Sequence, residues 1–214
     1  PLTSIYGACS AMRDNFDALP RQTHMKLLSD VCADAQWLVR MVENLLSVTR
    51  VDAATVRLSK NGTVLEELID AVLVKFRKHY PDIDVHVEIP EEFVSIPMDA
   101  MLISQVLMNL LENAVFHANG MENLRLRVEV KGSWAYFYVE DDGCGIPEEK
   151  LSRLFTGMLD SEAPTDQSRS SMGIGLSVCS AIIKAHGGEI WANKRAGGGT
   201  EVGFRLEMED ENGE

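Results

Sequence analysis

Apolar residues recur at intervals of three and four in several stretches of the chain and alternate in others, so its elements can be read before any chemistry is considered. Near the start, Leu2, Ile5, Cys9, Met12 and Phe16 form one stripe. After a break at Leu19-Pro20, Leu28, Val31, Ala35, Leu38, Val42, Leu45 and Thr49 form a second. Such seams belong to antiparallel helices in a bundle. Cys32, Val39 and Leu46 widen the second stripe beyond what one partner helix covers, so a lone hairpin would leave apolar surface in water. The expectation for residues 1–52 is an all-α helical hairpin that pairs with a second copy as a dimeric four-helix bundle. The alternative is a hairpin packed on the rest of the chain.

Residues 53–214 read differently. Runs rich in aromatic and β-branched residues predict strands at 55–59, 85–89, 124–130, 134–140, 189–192 and 200–208. Helical periodicity predicts helices at 64–79, 99–117 and 174–185. Two consecutive strands form one hairpin, and a second hairpin closes the chain around Gly197-Gly198-Gly199. This order favours an α/β sandwich, a mixed sheet with helices on one face.

Three islands of polar residues punctuate this second domain. In the helix predicted at 99–117, Leu102, Ile103, Val106, Leu107, Leu110, Leu111 and Ala114 make the core face, while Gln105, Asn109, Asn113 and His117 step by four as a separate polar stripe. An amide oxygen is a hard, neutral ligand suited to a Mg²⁺ ion that also binds phosphates; the other reading is a solvated helix face. His117 on the same stripe fits a hydrogen-bonding or packing role as well as contact with a ligand. Next, Asp141-x-Gly143-x-Gly145 follows a strand, and an ionised carboxylate there can accept a hydrogen bond from the exocyclic amine of adenine, where guanine presents a carbonyl. Asp-Asp-Gly is also an ordinary turn. Finally, Gly173-Ile174-Gly175-Leu176 precedes an apolar helical stretch with Ile174, Val178, Ala181, Ile182 and Ala185 on one face. Glycines just before a helix let its free N–H groups approach phosphate, although Gly-x-Gly alone also fits a flexible joint. Between the second and third islands, Pro147 permits a short helix ending near Phe155, and residues 156–172 lack periodicity, as a lid over a site would.

Composition narrows the possible partners. The formal charge of −13 argues against nucleic acid and anionic membrane as direct partners. No apolar run approaches the roughly 20 residues needed to span a bilayer, and no signal peptide is present, so a membrane anchor is expected outside these residues. The four cysteines show no paired spacing, which reads as reduced cytoplasm without a cysteine-bound metal.

Taken together, these motifs resemble the catalytic core of bacterial sensor histidine kinases. Asn109 to Asn113 match the N box, Asp141 to Gly145 the G1 box, Phe155 the F box and Gly173 to Leu176 the G2 box. Pro1-Leu2-Thr3-Ser4-Ile5 resembles the residues after the phosphoacceptor histidine of the H box, and Asn44-Leu45-Leu46 with Thr49-Arg50 the end of the same dimerisation domain. Residues 1–8, 42–50 and 185–191 are most similar to the Kdp-type potassium or turgor sensor kinases. The resemblance implies a dimerisation and histidine-phosphotransfer hairpin at 1–52 and, at 53–214, an ATP-binding domain with the GHKL (Bergerat) fold shared with DNA gyrase, a heat-shock chaperone family and the MutL proteins. It implies ATP and Mg²⁺ as cofactors, with Asn109 and Asn113 on the metal. Adenine and phosphates would meet His117, Asp141, Gly143, Gly145, Arg169, Gly173, Gly175, Leu176 and Thr200. Glu112 and Asn113 would be catalytic, Glu112 orienting or accepting the proton of the attacking imidazole. The implied partners are a second copy of the chain and the receiver domain of a response regulator, in the cytoplasmic part of a protein attached to the inner membrane.

The resemblance also shows departures. It would put the phosphoacceptor histidine five residues before Pro1 and the threonine used in dephosphorylation immediately before it, so residues 1–214 are not expected to autophosphorylate by themselves. Phe116 stands where the family has a Lys or Arg that meets phosphate, Ser171 where a first glycine is common, and Met158 where a second phenylalanine is. Loss of one charge-assisted contact costs ~1.5–3 kcal/mol, roughly 10 to 150-fold in affinity, which Arg169 or Lys184 would have to offset. Two other functions therefore stay open: a GHKL-type ATP hydrolase, and a nucleotide-weak pseudokinase that dimerises and docks a response regulator.

Overall fold

The computed structural model describes residues 2–52, 58–151, 154–155 and 172–208. The chain divides into two compact units, Pro1–Thr49 and Arg50–Glu214.

In the first unit, α1 (Leu2–Asp14) and α2 (Arg21–Asp52) are joined by a turn that ends at Pro20. Pro20 has no N–H to donate but accepts one from His24 at 3.1 Å, which starts α2. Phe16 meets the His24 ring edge-on, with centroids 5.1 Å apart. No residue of α1 is buried. Leu2 and Phe16 are about 70% exposed (70% and 68%), and Leu28, Val39 and Val42 are also exposed. Among the described residues, much of both apolar stripes is therefore exposed within one chain.

The second unit buries its apolar faces against one another. Two short strands, β1 (Asn61–Val64) and β3 (Ser95–Met98), pair antiparallel. Between them lie α3 (Leu65–His79) and β2 (Val85–Glu88). Then follow α4 (Ala100–His117), β4 (Leu124–Lys131), β5 (Trp134–Asp141), α5 (Glu148–Leu151), α6 (Met172–Ala185), β6 (Glu189–Lys194) and β7 (Thr200–Glu207). The larger sheet has the order β2-β4-β5-β7-β6, with β2 and β4 parallel and all other pairs antiparallel, so it is mixed.

Period-two alternation along β5 sorts the two faces of this sheet. Ala135, Phe137 and Val139 are buried beneath α4, and Phe137 stacks on Phe204 of β7 with ring centroids 4.6 Å apart. On the opposite face Tyr136 and Tyr138 lie nearly parallel, flanked by Trp191, with the Arg127 guanidinium 4.0 Å from the Tyr138 centroid.

The long central helix α4 carries the site, and its start is fixed twice. Asp99 caps it by accepting the N–H groups of Met101 and Leu102, each at 3.2 Å, a contact whose loss typically costs ~1 kcal/mol. The N–H of Asp99 in turn donates to Nε2 of buried His186 at 3.1 Å, while Nδ1 of His186 faces the Ile182 carbonyl at 2.8 Å. Both bonds can form only in the neutral imidazole with its proton on Nδ1. Burial lowers the pKa of His186, and Lys60 adds to the effect, against opposing contributions from Ile182 and Asp99.

Several expectations need correction. The strand placed at 55–59 lies outside the described residues except for 58 and 59, which are not in a strand. Strands β1 and β3 were not anticipated, because their sequences, NGTV and SIPM, contain a glycine and a proline and are four residues long. The third glycine island does not precede its helix; α6 begins at Met172 and includes Gly173 and Gly175. Burial of Leu176, Val178, Cys179, Ile182 and Ile183 outweighs the ~1 kcal/mol that each helical glycine costs. That buried set also differs from the expected face, for Ala185 is exposed and Ala181 half-buried. By contrast, all seven apolar positions expected to be core on α4 are buried. The lid expected at 156–172 lies outside the described residues except for Met172.

Candidate nucleotide-binding site

A cleft partly open to solvent runs between the C-terminal half of α4 and the ends of β5 and β7. Leu110 and Ala114 of α4, Ala118 just after it, Val139 and Val202 from the sheet, Ile146 after the glycine turn and Leu176 of α6 make its apolar walls. Asn113, His117, Asp141 and Thr200 are its polar points. An apolar slot with a few convergent polar groups is the usual form of a small-molecule site.

Asp141 is the last residue of β5 and is 6% exposed. Its Oδ1 accepts the backbone N–H of Gly143 at 3.0 Å and that of Thr200 at 3.3 Å, and no described residue donates to Oδ2. Burial raises the pKa of this carboxyl, while the two N–H bonds and the Arg195 charge pull the other way. The result is a carboxylate fixed through one oxygen, with the second able to accept a proton donor from a ligand.

Two glycines make this geometry possible. A Cβ on Gly143 would stand 2.6 Å from the Cβ of Ala118, so the turn can pass over the end of α4 only without a side chain. Gly199 has φ +85°, and a Cβ there would lie 2.0 Å from the Asp141 carbonyl oxygen. Neighbouring Asp142 turns outward: its carboxylate accepts the N–H groups of Glu122 and Asn123 and the Asn123 amide, and these bonds lower its pKa to about 2.

Across the cleft, Asn113 has a buried Nδ2 with no hydrogen-bond partner among the described residues. Leaving such a donor unpaired costs about 1–3 kcal/mol, and a half-turn of the amide about χ2 replaces it with the carbonyl oxygen. An unpartnered amide at a pocket wall fits a hard cation that takes its remaining ligands from water and phosphate. Asn109, one turn earlier, is not on the cleft wall; burial pushes the pKa of the nearby Cys179 thiol up to about 12, with the Asn109 amide pulling the other way, and the thiol donates to the Val106 carbonyl at 4.0 Å. Glu112 is half-buried on α4 and does not line the cleft. Phe116 is exposed and meets Tyr80 edge-on at 6.0 Å.

Of the residues singled out in the sequence, the structure therefore brings Asn113, His117, Asp141, Gly145, Leu176 and Thr200 to one cleft. Gly143 lies under the wall formed by Ala118. Gly173 and Gly175 lie in the first turn of α6, and Arg169 is outside the described residues. Sequence reasoning missed Val139 and Val202, which face each other as register partners on β5 and β7 and follow the same alternation as the core. It also missed Ile146, and Arg195, whose Nη1 donates to the Asp141 carbonyl oxygen at 2.8 Å. No local pattern marks Arg195, since its partner lies 54 positions away.

The family described as histidine kinase-, DNA gyrase B- and HSP90-like ATPases matches residues 98–210, more than half of the 214, and the match contains the whole cleft. The chain belongs to that family. Within it, the sequence is similar to sensor kinases of the Kdp type: the sensor protein KdpD of Clostridium acetobutylicum is 31% identical over 209 residues, 98% of this chain and 23% of that protein. The chain spans less than a quarter of the length of the two KdpD sensors it matches, at 23% and 22%. Among solved structures, histidine kinase ThkA in complex with the response regulator TrrA aligns with a TM-score of 0.76 and 25% identity, over 100% of this chain and 59% of that one. Acinetobacter baumannii histidine kinase AdeS shares the fold, with a TM-score of 0.70 and 24% identity over 98% of this chain and 96% of that one.

Proposed function

We propose that the chain is the ATP-dependent kinase core of a two-component sensor, which passes the γ-phosphoryl group of ATP to a histidine imidazole and then to an aspartate of a response regulator. The observation that carries this reading is the buried Asp141, held through Oδ1 in an apolar slot opposite the Asn113 amide, whose Nδ2 has no partner among the described residues.

In this reading, Asp141 accepts the adenine amine while Val139, Val202 and Leu176 enclose the ring. His117 and Thr200 donate hydrogen bonds near the sugar and phosphates, and the first-turn N–H groups of α6, at Gly173 and Gly175, face the phosphate oxygens. Gly143 and Gly145 keep the turn beside the base low, and Arg169 would meet the phosphates from the segment before α6. Asn113 would hold Mg²⁺ through its amide oxygen, and Asn109, one turn earlier on the same stripe, would join it. When bound, the metal would supply neutralisation of phosphate charge, which leaves the protein mainly to position the reactants. Glu112 orients the attacking imidazole or accepts its proton.

The exposed stripes of α1 and α2 support a homodimer through these helices, with a second copy covering them. A receiver domain is the proposed phosphoryl acceptor, in keeping with the response regulator bound to ThkA. Among the described residues no helix is long and apolar enough to cross a membrane. Because both ATP and receiver domains are cytoplasmic, we assign the chain to the cytoplasmic side of an inner-membrane sensor.

Incubation with γ-labelled ATP and a histidine-bearing sensor hairpin tests the reaction. Acid-labile, base-stable label on protein is expected; label released only as inorganic phosphate would instead indicate a hydrolase. Phe116 favours a second reading. Its ring packs with Tyr80 where the family offers a cation to phosphate, and failure to bind nucleotide at all would leave a docking pseudokinase.

A further inference from the structure

Glu140 and Asp141 are adjacent on β5 but serve opposite faces of the sheet. Asp141 enters the cleft, whereas the Glu140 carboxylate sits on the outer face, 5% exposed as a residue, among three arginines. Arg127 donates to its Oε1 from Nε at 3.1 Å and from Nη2 at 2.9 Å. Arg125 approaches Oε2 at 3.8 Å, and Nη2 of Arg195 approaches the same oxygen at 3.6 Å.

Arg195 is the member that reaches both residues. Its Nη1 donates to the Asp141 carbonyl oxygen at 2.8 Å while Nη2 faces Glu140, so one guanidinium straddles the peptide unit that presents the cleft carboxylate. The turn that carries Arg195 is closed on itself by Arg195 N–H to Gly199 O and Gly198 N–H to Arg195 O, both 3.2 Å. The residue that ends this turn, Thr200, donates its N–H to Oδ1 of Asp141. A single turn thus fixes both the main chain and the side chain of Asp141. A planar fork can hold two acceptors at once, and an ammonium group at the same place cannot hold both in that fixed geometry.

We propose that Arg195 is a positioning residue for purine recognition: anchored on Glu140 across the sheet, it sets the orientation of Asp141 and with it the preference of the cleft for adenine. The inference rests on the reading of Asp141 as the adenine acceptor. A hydrogen-bonded carboxylate discriminates between purines only while its oxygen stays within about 2.7–3.2 Å of the donor, so loosening the strand end should cost selectivity as well as affinity.

The test is a double-mutant cycle of Arg195→Ala and Asp141→Ala in the full chain, read as Mg²⁺-ADP and Mg²⁺-GDP affinities by calorimetry, with urea unfolding of each variant. Arg195→Ala should weaken ADP by roughly 10-fold and GDP by much less, and should have no further effect once Asp141 is alanine. Arg195→Lys should recover part of the ADP preference. Arg205→Ala, which removes an arginine stacked on Trp134 on the same face, should leave both affinities unchanged. Independent effects of Arg195→Ala and Asp141→Ala, or an Arg195→Ala protein with wild-type selectivity, would overturn the proposal while leaving the adenine site standing. If Asp141→Ala itself leaves ADP binding unchanged, the adenine reading fails, and the positioning role with it. Should Arg195→Ala not fold, the same cycle with Glu140→Gln, which keeps the shape and removes the anchoring charge, decides: a selective ADP loss coupled to Asp141 supports the role, and equal ADP and GDP affinity changes refute it.

Discussion

The two units of this chain carry equally clear apolar periodicity and use it differently. In Arg50–Glu214 all seven apolar positions of the α4 stripe are buried, with Ile103, Val106, Leu107 and Leu111 at 0% exposure. In Pro1–Thr49 an equally regular stripe on α1 buries nothing. Periodicity reports that a face needs a partner and not where that partner is. The ATPase unit supplies its own partner in the sheet, while the helices of the first unit present theirs to solvent, which is where we place a second copy.

The contrast can be broken most strongly from the core. Phe137→Ala removes a fully buried ring stacked on Phe204 and should destabilise the ATPase unit by ~3–5 kcal/mol in urea unfolding. Val39→Glu should leave that transition unchanged. Instead it should weaken the dimer by roughly 10 to 100-fold, measured by light scattering against concentration, because a charge would enter an apolar interface. If the wild-type chain is monomeric at tens of micromolar, the difference between the units has another cause.

His186 sharpens the comparison through pH. Its folded pKa is lowered, chiefly by burial, and Lys60 and Asp99 are the charged groups that face it. The neutral ring therefore contributes stability that is present above the unfolded value of about 6.5 and is lost as pH falls through the folded value, with a slope of at most ~1.4 kcal/mol per pH unit. Urea unfolding between neutral and mildly acid pH should show this component, and His186→Gln should remove it; identical pH profiles would contradict the role. The smallest effect belongs to Phe116→Lys. Because the position is exposed, the new cation should tighten ATP only ~3 to 10-fold in a calorimetric titration.

How much was legible in the sequence depended on how local each determinant is. Helix α4 was readable to its cap, since seven apolar residues and Asp99 act within a few turns. The aromatic and β-branched runs of β4, β5 and β7 identified themselves, and the Asp141 turn announced both its glycines. Strands β1 and β3 gave no signal because each is a four-residue piece stabilised by the other across a whole helix and strand. Arg195 was invisible for a related reason: it meets Asp141 only because β6 and β7 bring their turn back to the end of β5. Asn109 shows the limit of spacing arguments. It shares a stripe with Asn113, yet it lies off the cleft, because α6 packs on α4 and the cleft opens only a turn later.

The central claim is that one buried carboxylate reads the purine. The most direct measurement is calorimetric titration of the wild-type chain and of Asp141→Ala with Mg²⁺-ADP. Saturable binding below millimolar concentration is expected for the wild type and an affinity roughly 10 to 150-fold weaker for the variant, the loss that accompanies a hydrogen bond to a charged group. No binding by the wild type up to millimolar nucleotide, or equal affinity in the two proteins, would contradict it.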